Sequence, residues 1–390
     1  MRIAWLTPYL PAPENSGGRI RIANMARGFA EDELHLYSRL AADDPREEAY
    51  RGLSPWRSIH AKLAKFPRTP ELVVPELPLS FPAVLKRQLG EHDRQQPFDA
   101  VVLEHCYSAH GLPDFQRAAL ILCEHNVESQ YWMREALARP TRAIKNGLRY
   151  LRWRRFETNT WKKVDAISVV SEGDRDVVQR VRPDTGVLIP NGISIEDYAF
   201  IPPSRRKGRA ILFSGLMSYL PNIDAAVLLA ERVLPLVRRR FPDASLTLAG
   251  RDPHKRVQAL ASASVRVTGT VARIATLFDE HAAYANPIAF GAGSSLKALE
   301  PLAAGVPMVA SPFGVRGYGL EPETHYLQAN TPEQIADVLC RVLEQPPALD
   351  AMAERARKVA ERYAWSDLRL RFFELVRNAV ETKRLARPSG

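Results

Sequence analysis

The sequence predicts an α/β protein made of two doubly wound domains, each a parallel sheet with helices on both faces. Short apolar runs alternate with longer amphipathic stretches in both halves of the chain, and this alternation is typical of such sheets. A polar run rich in Pro and Arg, at residues 201–208, separates the two halves. The length of 390 residues also exceeds what one hydrophobic core usually supports.

Each half carries its own series of predicted strands and helices. In the first half we expect strands at residues 3–6, 34–37, 100–103, 119–123, 166–170 and 186–189, with helices at 19–31, 128–138, 142–163 and 172–181. The last of these helices begins after a Ser171 cap. The stretch 43–70 is rich in Arg and Pro and is expected to be mostly helix and loop. In the second half we expect a helix at 222–240, a helical tail at 348–383, and strands at 210–213, 245–249, 265–268, 283–285, 307–310 and 326–328.

The domain boundaries follow from this pattern. The first domain is predicted at residues 1–200 with a basic helical insert at 139–163, and residues 201–208 are predicted to be a linker. The second domain is predicted at 209–365. A C-terminal helix at 366–390 is expected to pack back toward the first domain.

Composition excludes several classes of protein. No apolar run reaches the roughly 20 residues that span a bilayer, and the N-terminus does not resemble a signal peptide, so we expect a cytoplasmic protein. The isolated cysteines Cys106, Cys123 and Cys340 lack CxxC spacing, which excludes a disulfide framework and indicates buried small side chains.

The chain is basic, with a net charge of +10, and much of the excess lies in the insert at 139–163. Its apolar residues recur every three to five positions, as on an amphipathic helix. Such a helix can lie on an anionic membrane surface, which would place the protein at the inner face of the membrane. Alternatively, its aromatic residues dock on its own domain. Nucleic acid is an unlikely partner.

A glycine turn, a short helix and a buried strand follow one another at residues 291–310. Gly291 and Gly293 allow close approach of the backbone to a ligand, and helix N-termini bind phosphate through free N–H groups. Lys297 adds a mobile cation, and Glu300 follows one helical turn later. These features predict a nucleotide site whose residues are Gly293, Ser294, Ser295, Leu296, Lys297 and Glu300. An ordinary helix start with solvated side chains is the alternative.

Polar residues also follow the predicted strands of the first domain. Gly17 and Gly18 come after the first strand, His105 after another, and the cluster Glu124, His125 and Asn126 after the next. Open α/β sheets bind ligands at the carboxyl ends of their strands, so we expect these residues in a cleft where they bind sugar hydroxyls. Ordinary loop histidines are the alternative. The chain has neither a GxGxxG fingerprint nor a P-loop.

The order of these segments resembles the family 4 retaining glycosyltransferases, which have the GT-B fold. The similar segments span nearly the whole chain, at residues 16–18, 124–128, 170–172, 189–193, 213–215, 248–253, 267–270 and 299–307. The subgroup that the chain looks most like contains bacterial exopolysaccharide and lipid-linked sugar transferases, in which a basic helical insert also occurs.

The resemblance implies two Rossmann-like domains facing an interdomain cleft, with the acceptor on the N-terminal side and the nucleotide sugar in the C-terminal domain. It implies that Glu300 binds ribose and that Ser294, Ser295 and Leu296 hold phosphate. Gly17 and Gly18 would approach the diphosphate or the donor sugar. His105 corresponds to the cleft histidine that contacts the transferred sugar. Gly215 and Arg251 would line the nucleotide-sugar site, and Glu124, His125 and Asn126 the acceptor side.

Two positions depart from the family pattern. An acidic residue usually precedes the ribose glutamate by eight positions, whereas this chain has Ala292. The loop at 215–222 lacks the Arg and Lys that many relatives use on the diphosphate. We therefore expect Lys297 to supply this charge, with Arg251 or Arg316 as second candidates, and expect no metal and no cofactor.

The predicted function is transfer of a sugar from a nucleotide diphosphate sugar to a glycan, lipid-linked or other acceptor, with His105 and Lys297 as catalytic residues. The alternatives are a sugar-nucleotide epimerase of similar fold and a catalytically silent binder of nucleotides or polyanions. The base, sugar, acceptor and linkage do not follow from the sequence.

Overall fold

The computed structural model describes residues 1–14, 16–40, 55–63, 82–138, 140–290, 295–344 and 348–386. Two compact units divide the chain: Met1–Pro190 together with Ser366–Gly390, and Asn191–Trp365. Each unit contains one parallel sheet, which confirms the predicted fold class.

The sheet of the first unit has seven parallel strands in the order β3-β2-β1-β4-β5-β6-β7. Leu6 of β1 pairs with Leu103 of β4, so these two strands end level with each other. The strands are β1 (Arg2–Thr7), β2 (Glu33–Leu40), β3 (Trp56–Leu63), β4 (Ala100–Glu104), β5 (Ala119–Glu124), β6 (Ala166–Val169) and β7 (Val187–Leu188). Both β1 and β4 are almost wholly buried, as expected for central strands covered on both faces.

The helices of residues 1–190 lie between these strands along the chain. They are α1 (Gly17–Arg27), α2 (Ala83–Gln95), α3 (Glu128–Ala138), α4 (Ala143–Trp161) and α5 (Glu172–Gln179), with a short 3-10 turn at Cys106–Ala109. The predicted cap of α5 is confirmed, since the Ser171 side chain accepts a hydrogen bond from the Asp174 amide. All three cysteines are buried, as predicted.

Strand β3 corrects the expectation of helix and loop over residues 43–70. It pairs with β2 at the edge of the sheet. Ala61 is buried and Ile59 packs beside it, whereas Arg57 is exposed. Its polar residues Ser58 and His60 are half-buried and bond to each other, and through His35 and Gln88 to the neighbouring elements, so polar side chains that indicated a loop belong to an edge strand. The rest of that stretch lies outside the described residues, except Pro55.

The sheet of the second unit has six parallel strands in the order β10-β9-β8-β11-β12-β13. They are β8 (Ala210–Ser214), β9 (Ser245–Ala249), β10 (Val265–Gly269), β11 (Ala283–Asn286), β12 (Met308–Ala310) and β13 (Leu327–Gln328). Its core consists of apolar residues from these strands and from the helices around them.

The predicted helix at 222–240 consists of three helical segments. They are α6 (Leu220–Val227), a π-helix at Leu228–Val233 and α7 (Leu234–Arg240). Pro235 has no amide hydrogen to donate to the Glu231 carbonyl, and its ring crowds that turn. The wider π-helical turn before Pro235 accommodates this defect. The other helices are α8 (Lys255–Gln258), α9 (Ala275–Glu280), α10 (Leu296–Ala304), α11 (Pro332–Leu343) and α12 (Ala348–Glu361).

Residues 201–208, predicted as a linker, lie within the second unit. The reason is Arg206, which is only 4 % exposed. Its guanidinium donates to the carbonyls of Phe278, His281 and Ala304, and its Nε to that of Ile201. A buried guanidinium requires such partners, so this arginine fixes the segment to its unit.

The last helix, α13 (Trp365–Leu385), belongs almost entirely to the first unit. Phe372 is buried and packs with Trp5 at 5.7 Å and with Phe29 at 5.9 Å between ring centroids. Lys383 donates to the Asp165 carboxylate at 3.0 Å. The C-terminal helix therefore completes the core of the unit that begins the chain.

Helix α4 has two distinct faces. Trp153 and Trp161 are buried in the first unit, as the docking alternative predicted. Ile144, Leu148 and Leu151 instead are 84 %, 52 % and 60 % exposed. The apolar residues of the insert therefore do not form one stripe. Within the described residues no helix is long and apolar enough to cross a membrane.

The buried face of α4 also carries a carboxyl group, that of Glu157, whose pKa is raised to about 8 by removal from water. An unfolded glutamate has a pKa of about 4.3. A carboxyl group whose pKa is higher in the folded than in the unfolded state stabilises the fold fully at a pH below the unfolded-state pKa. This stabilisation is lost as the pH rises through the folded-state pKa. We predict that Glu157→Gln flattens the fall in melting temperature between about pH 5 and pH 9.

The matched control is Glu91→Gln, which changes an exposed carboxylate of α2 and should leave the wild-type slope unchanged. Equal slopes for wild type and Glu157→Gln, measured by thermal melts over the same pH range, would contradict the prediction.

Candidate functional site

Each sheet has one point where the strand order reverses, between β1 and β4 in the first unit and between β8 and β11 in the second. Helices connect to opposite faces on the two sides of such a point, which leaves room for a ligand outside the carboxyl ends of the strands. Tyr9 and His105 follow β1 and β4, and Gly215 follows β8.

Glu104, the last residue of β4, is buried and hydrogen-bonded on both oxygens. Trp5 Nε1 donates to its Oε1 at 2.8 Å, and His125 Nε2 lies 2.5 Å from its Oε2. Burial raises the pKa of Glu104 to about 6, against the opposing effect of Arg21. Burial, with the charge of Arg21, also lowers the pKa of His125 well below its ordinary value. We assign a neutral His125 that donates from Nε2 to the Glu104 carboxylate.

His105 adopts an unusual backbone conformation, with φ of 64° and ψ of 145°. This region is strained for a residue with a side chain, and such strain is concentrated at functional sites. Its ring lies between Tyr107, at 4.9 Å, and His125, at 4.1 Å between centroids. Burial and the neighbouring His125 lower the pKa of His105 well below its ordinary value. The imidazole is therefore neutral and fixed in orientation.

Glu124 ends β5 and is buried like Glu104. Trp161 Nε1 donates to its Oε1 at 2.7 Å. Burial, reinforced by the nearby Glu157, raises the pKa of Glu124 well above its ordinary value. Among the acceptor-side candidates Glu124 and His125 are thus interior groups, and Asn126 beside them is half-buried.

Gly17 and Gly18 begin α1 after Ser16, which is extended. Neither glycine has a positive φ. The requirement at position 18 is steric: a Cβ there would lie 2.0 Å from the Tyr9 hydroxyl. Gly18 therefore leaves room for the Tyr9 side chain.

In the second unit, Lys297 is held in place, which corrects the expectation of a mobile cation. Its Nζ donates to Asn222 Oδ1 at 2.7 Å and lies 4.9 Å from the centroid of the Phe213 ring. Asn222 Nδ2 in turn donates to the Leu216 carbonyl. Removal from water lowers the pKa of Lys297 to about 7, although Glu300 opposes the shift. A group that titrates near neutral pH is sensitive to any anion that binds beside it.

Glu300 lies on α10, one turn after Lys297. Its carboxylate accepts hydrogen bonds from the hydroxyls of Tyr198 at 3.3 Å and Ser214 at 3.4 Å. Ser214 also pairs with the Tyr284 hydroxyl at 2.9 Å. Removal from water raises the pKa of Glu300 to about 7, against the charge of Lys297. The result is a half-buried carboxyl group surrounded by hydroxyls at the end of β8.

The predicted phosphate loop is described only in part. Gly291, Ala292, Gly293 and Ser294 lie outside the described residues. Ser295 is buried, and its amide donates to the Arg316 carbonyl at 3.3 Å. The expectation of a free N–H at Ser295 is therefore wrong, because a neighbouring carbonyl already uses it. Leu296 begins α10 and is half-buried.

Gly215 lies where three segments approach closely. Its φ is 153°, and a Cβ there would lie 2.7 Å from both Asn222 Nδ2 and Lys297 Nζ. A Cβ on Gly250 would in turn lie 1.7 Å from the Gly215 carbonyl oxygen. Arg251 is close to this turn, since its carbonyl accepts from the Met217 amide, and its guanidinium pairs with Asp252 at 3.4 Å. Lys297, Gly215 and Arg251 thus border one region of the second unit.

Sequence reasoning missed the partners that orient these groups. Glu104 could have been found, because β4 and β5 both end on a glutamate that is followed by a histidine. Asn222 and Tyr198 left no comparable signal, since they lie 75 and 102 residues from Lys297 and Glu300 in the chain. Tyr9 follows the first strand but belongs to no recognisable motif.

Comparison with known families gives two matches that cover successive parts of the chain. A family described as Glycosyltransferase Family 4 matches residues 15–197, and one described as Glycosyl transferases group 1 matches residues 208–345. A search of the curated proteins gives no match.

Solved structures of similar fold cover the chain almost completely. Sucrose-phosphate synthase from Thermosynechococcus elongatus is 16 % identical, with a TM-score of 0.71 over 98 % of this chain and 100 % of that one. HepE from Anabaena in complex with UDP-glucose is 16 % identical, with a TM-score of 0.62 over 97 % and 100 %. WaaG, a glycosyltransferase involved in lipopolysaccharide biosynthesis, is 16 % identical, with a TM-score of 0.66 over 97 % and 99 %. The likeness is one of fold.

The contact between Lys297 and Asn222 generates a prediction about stability. Asn222→Ala leaves the ammonium without its hydrogen-bond acceptor, so we expect the free energy of unfolding at about pH 6 to fall by about 1–3 kcal/mol. Adding Lys297→Met removes the unpaired charge and should recover part of this loss. Denaturant unfolding of the two single variants and the double variant measures the coupling.

Asn330→Ala, which changes an exposed asparagine, is the matched control and should stay close to wild type. If the effects of Asn222→Ala and Lys297→Met simply add, the two side chains are not coupled and the described contact is not stabilising.

Proposed function

The chain belongs to the glycosyltransferases of family 4 and group 1, and from this premise we propose that it transfers a hexosyl group from a nucleotide diphosphate sugar to an acceptor with retention of configuration. The arrangement of Lys297 and Glu300 at the carboxyl end of β8 supports this proposal most directly. HepE binds UDP-glucose, so UDP-glucose is the first donor to test.

The departing diphosphate requires positive charge. Lys297 can supply it, because its ammonium is already oriented by Asn222 and the Phe213 ring. A preorganised cation in a poorly solvated site offsets developing negative charge without reorganisation. We therefore propose a reaction that uses no metal and no cofactor, with Arg251 and Arg316 as further candidate cations.

The nucleoside requires a partner for the ribose hydroxyls. Glu300 fits this role because a carboxylate accepts several hydrogen bonds, and Tyr198 and Ser214 already fix its orientation. Its position on α10, one turn after Lys297, allows both side chains to serve one nucleotide.

The transferred sugar requires uncharged hydrogen-bonding groups. His105 fits this role, since burial keeps its imidazole neutral and two stacked rings fix its plane. We propose that it binds a hydroxyl of the transferred sugar in the transition state, while the acceptor attacks the face that the nucleotide leaves.

Mixing the protein with a panel of nucleotide sugars and candidate acceptors tests the proposal. A ligand at about a hundred times its dissociation constant stabilises the fold by about 2.7 kcal/mol, so thermal shifts identify the donor. A coupled product with retained anomeric configuration, seen by NMR, supports the proposal. An epimerised nucleotide sugar would favour the epimerase alternative, and salt-sensitive polyanion binding without turnover would favour the silent binder.

We predict that Lys297→Ala lowers turnover by about 10²-fold or more, as expected for loss of a preorganised charge at a leaving group. The measurement is release of nucleoside diphosphate under saturating donor. Lys358→Ala, which removes an exposed lysine of α12, is the control. Near wild-type turnover with an intact fold would remove Lys297 from the mechanism.

We also propose that the exposed face of α4 binds an anionic lipid surface and brings the enzyme to a lipid-linked acceptor. Ile144, Leu148 and Leu151 recur at spacings of four and three and are more than half exposed. The exposed cations on and beside this helix are Arg142, Lys145, Arg152, Arg155, Lys162 and Lys163. Its one acidic residue, Glu157, is buried. Apolar residues flanked by cations are what an anionic interface binds.

For this surface we predict that Lys145→Glu with Arg155→Glu weakens binding to anionic vesicles by about tenfold or more, since each cation contributes about 1 kcal/mol near such a membrane. Leu148→Ser with Leu151→Ser should weaken it as well. Co-sedimentation with phosphatidylglycerol vesicles, compared with phosphatidylcholine vesicles, measures the effect.

Two control variants change exposed residues elsewhere: Lys358→Glu, and Leu370→Ser, whose leucine is 64 % exposed. Activity on a soluble acceptor should be unchanged in all of these variants. Undiminished vesicle binding by both α4 double variants would exclude this face as the lipid-binding surface.

A further inference from the structure

Tyr9 lies beside the imidazole of His105. Tyr9 follows β1 and His105 follows β4, and these neighbouring parallel strands end level at the reversal of strand order. The Tyr9 hydroxyl is 3.3 Å from His105 Nε2, and the two rings meet edge to face with centroids 6.2 Å apart. The Tyr9 hydroxyl and His105 Nε2 therefore lie next to each other at the position where an open α/β sheet binds its ligand.

The two ring nitrogens of His105 have different surroundings. Nδ1 is buried and has no hydrogen-bond partner in the described part of the chain. Tyr107 and His125 both stack on the ring, with centroids 4.9 Å and 4.1 Å away, and so restrict its rotation. Nε2 remains, and it is the atom that Tyr9 contacts. A substrate that reaches His105 through Nε2 must therefore also meet the Tyr9 hydroxyl.

The backbone of α1 accommodates this hydroxyl. A Cβ on Gly18 would lie 2.0 Å from the Tyr9 oxygen and 3.1 Å from the ring carbon that bears it. Any other residue at position 18 would displace the phenol. The sequence thus combines a glycine with a tyrosine so that a hydroxyl can lie against the first turn of α1.

The Tyr9 hydroxyl can make further hydrogen bonds in addition to its contact with His105. A phenol can donate one hydrogen bond and accept others, and within the described residues its hydrogen-bond partner is His105. Burial, reinforced by Glu104, raises the pKa of Tyr9 above its ordinary value, so the hydroxyl keeps its proton at neutral pH. The guanidinium of Arg19 lies 5.9 Å from the ring centroid and contacts the ring face rather than the hydroxyl.

We propose that Tyr9 is a further substrate-contacting residue, whose hydroxyl binds a hydroxyl of the transferred sugar together with His105 Nε2. The inference rests on the proposed function of glycosyl transfer and adds to it a residue that determines which sugars are accepted. A site built around a buried hydroxyl rejects a sugar that lacks the matching group, because its own polar atoms are then left unpaired.

The test combines Tyr9→Phe with monodeoxy donors. Phenylalanine keeps the ring and removes the hydroxyl. The donor is the nucleotide sugar that wild type uses best among UDP-glucose, UDP-galactose and GDP-mannose, together with its monodeoxy analogues. We expect Tyr9→Phe to lower kcat/KM for the parent donor by about 10- to 100-fold. For one analogue, which lacks the contacted hydroxyl, wild type and Tyr9→Phe should have the same kcat/KM within about twofold.

Two controls separate a lost contact from a damaged fold. Tyr150→Phe removes a phenol hydroxyl from α4 in the same unit and should behave as wild type. Thermal shift by the nucleoside diphosphate should be the same for Tyr9→Phe as for wild type, because Lys297 and Glu300 belong to the other unit. Gly18→Ala, which displaces the hydroxyl, should reproduce the selectivity of Tyr9→Phe.

Unchanged kcat/KM for Tyr9→Phe would overturn the inference while leaving the proposed function intact. So would an equal loss for the parent donor and every deoxy analogue, since that pattern indicates a structural defect. If wild type transfers or releases sugar from none of the donors, the proposed function fails, and the inference fails with it.

Discussion

A charged group that leaves water needs a partner, and near the carboxyl ends of the central strands each unit holds such a group with its partners, Glu104 in the first and Lys297 in the second. Glu104 is 1 % exposed and would be strongly destabilising without Trp5 and His125 on its two oxygens. These partners also determine the chemistry, because each one fixes an orientation or a protonation state. Stability and site geometry therefore depend on the same hydrogen bonds.

The two units meet the requirement with different groups. In the first, indole N–H groups donate to carboxyl groups at the ends of neighbouring strands, from Trp5 to Glu104 and from Trp161 to Glu124. Burial lowers the pKa of the adjacent imidazoles of His105 and His125, and neutral imidazoles suit the hydroxyls of a sugar. In the second, an amide holds Lys297 and hydroxyls hold Glu300. That unit keeps a cation and a carboxyl group beside each other, which suits a diphosphate and a ribose.

The sequence predicted those parts of the fold that depend on local pattern. Central strands such as β1 and β4 are continuous apolar runs and were found, whereas β3 was missed because Arg57, Ser58 and His60 interrupt its apolar pattern. The candidate residues were found where glycine, histidine or lysine follows a strand. Asn222 and Tyr198 were not found, because their importance arises from contacts across the fold that no local pattern encodes. The need for Gly18 likewise becomes visible only with the Tyr9 side chain in place.

The net charge of the chain likewise does not predict which residues bind a ligand. The excess of 54 Lys and Arg over 44 Asp and Glu suggested attraction to a polyanion, yet the total counts every cation alike. Arg206 is a buried ligand of backbone carbonyls, and Arg21 donates to the Pro190 carbonyl while acting on the buried Glu104. Cations of this kind make their hydrogen bonds to the protein's own carbonyl groups, so a count of charges does not identify a surface that binds an anion. The exposed cations around α4 differ because they flank Ile144, Leu148 and Leu151 on a face that the first unit leaves uncovered. The distribution of charge over one helix, rather than its sum over the chain, is therefore the argument for an anionic lipid partner.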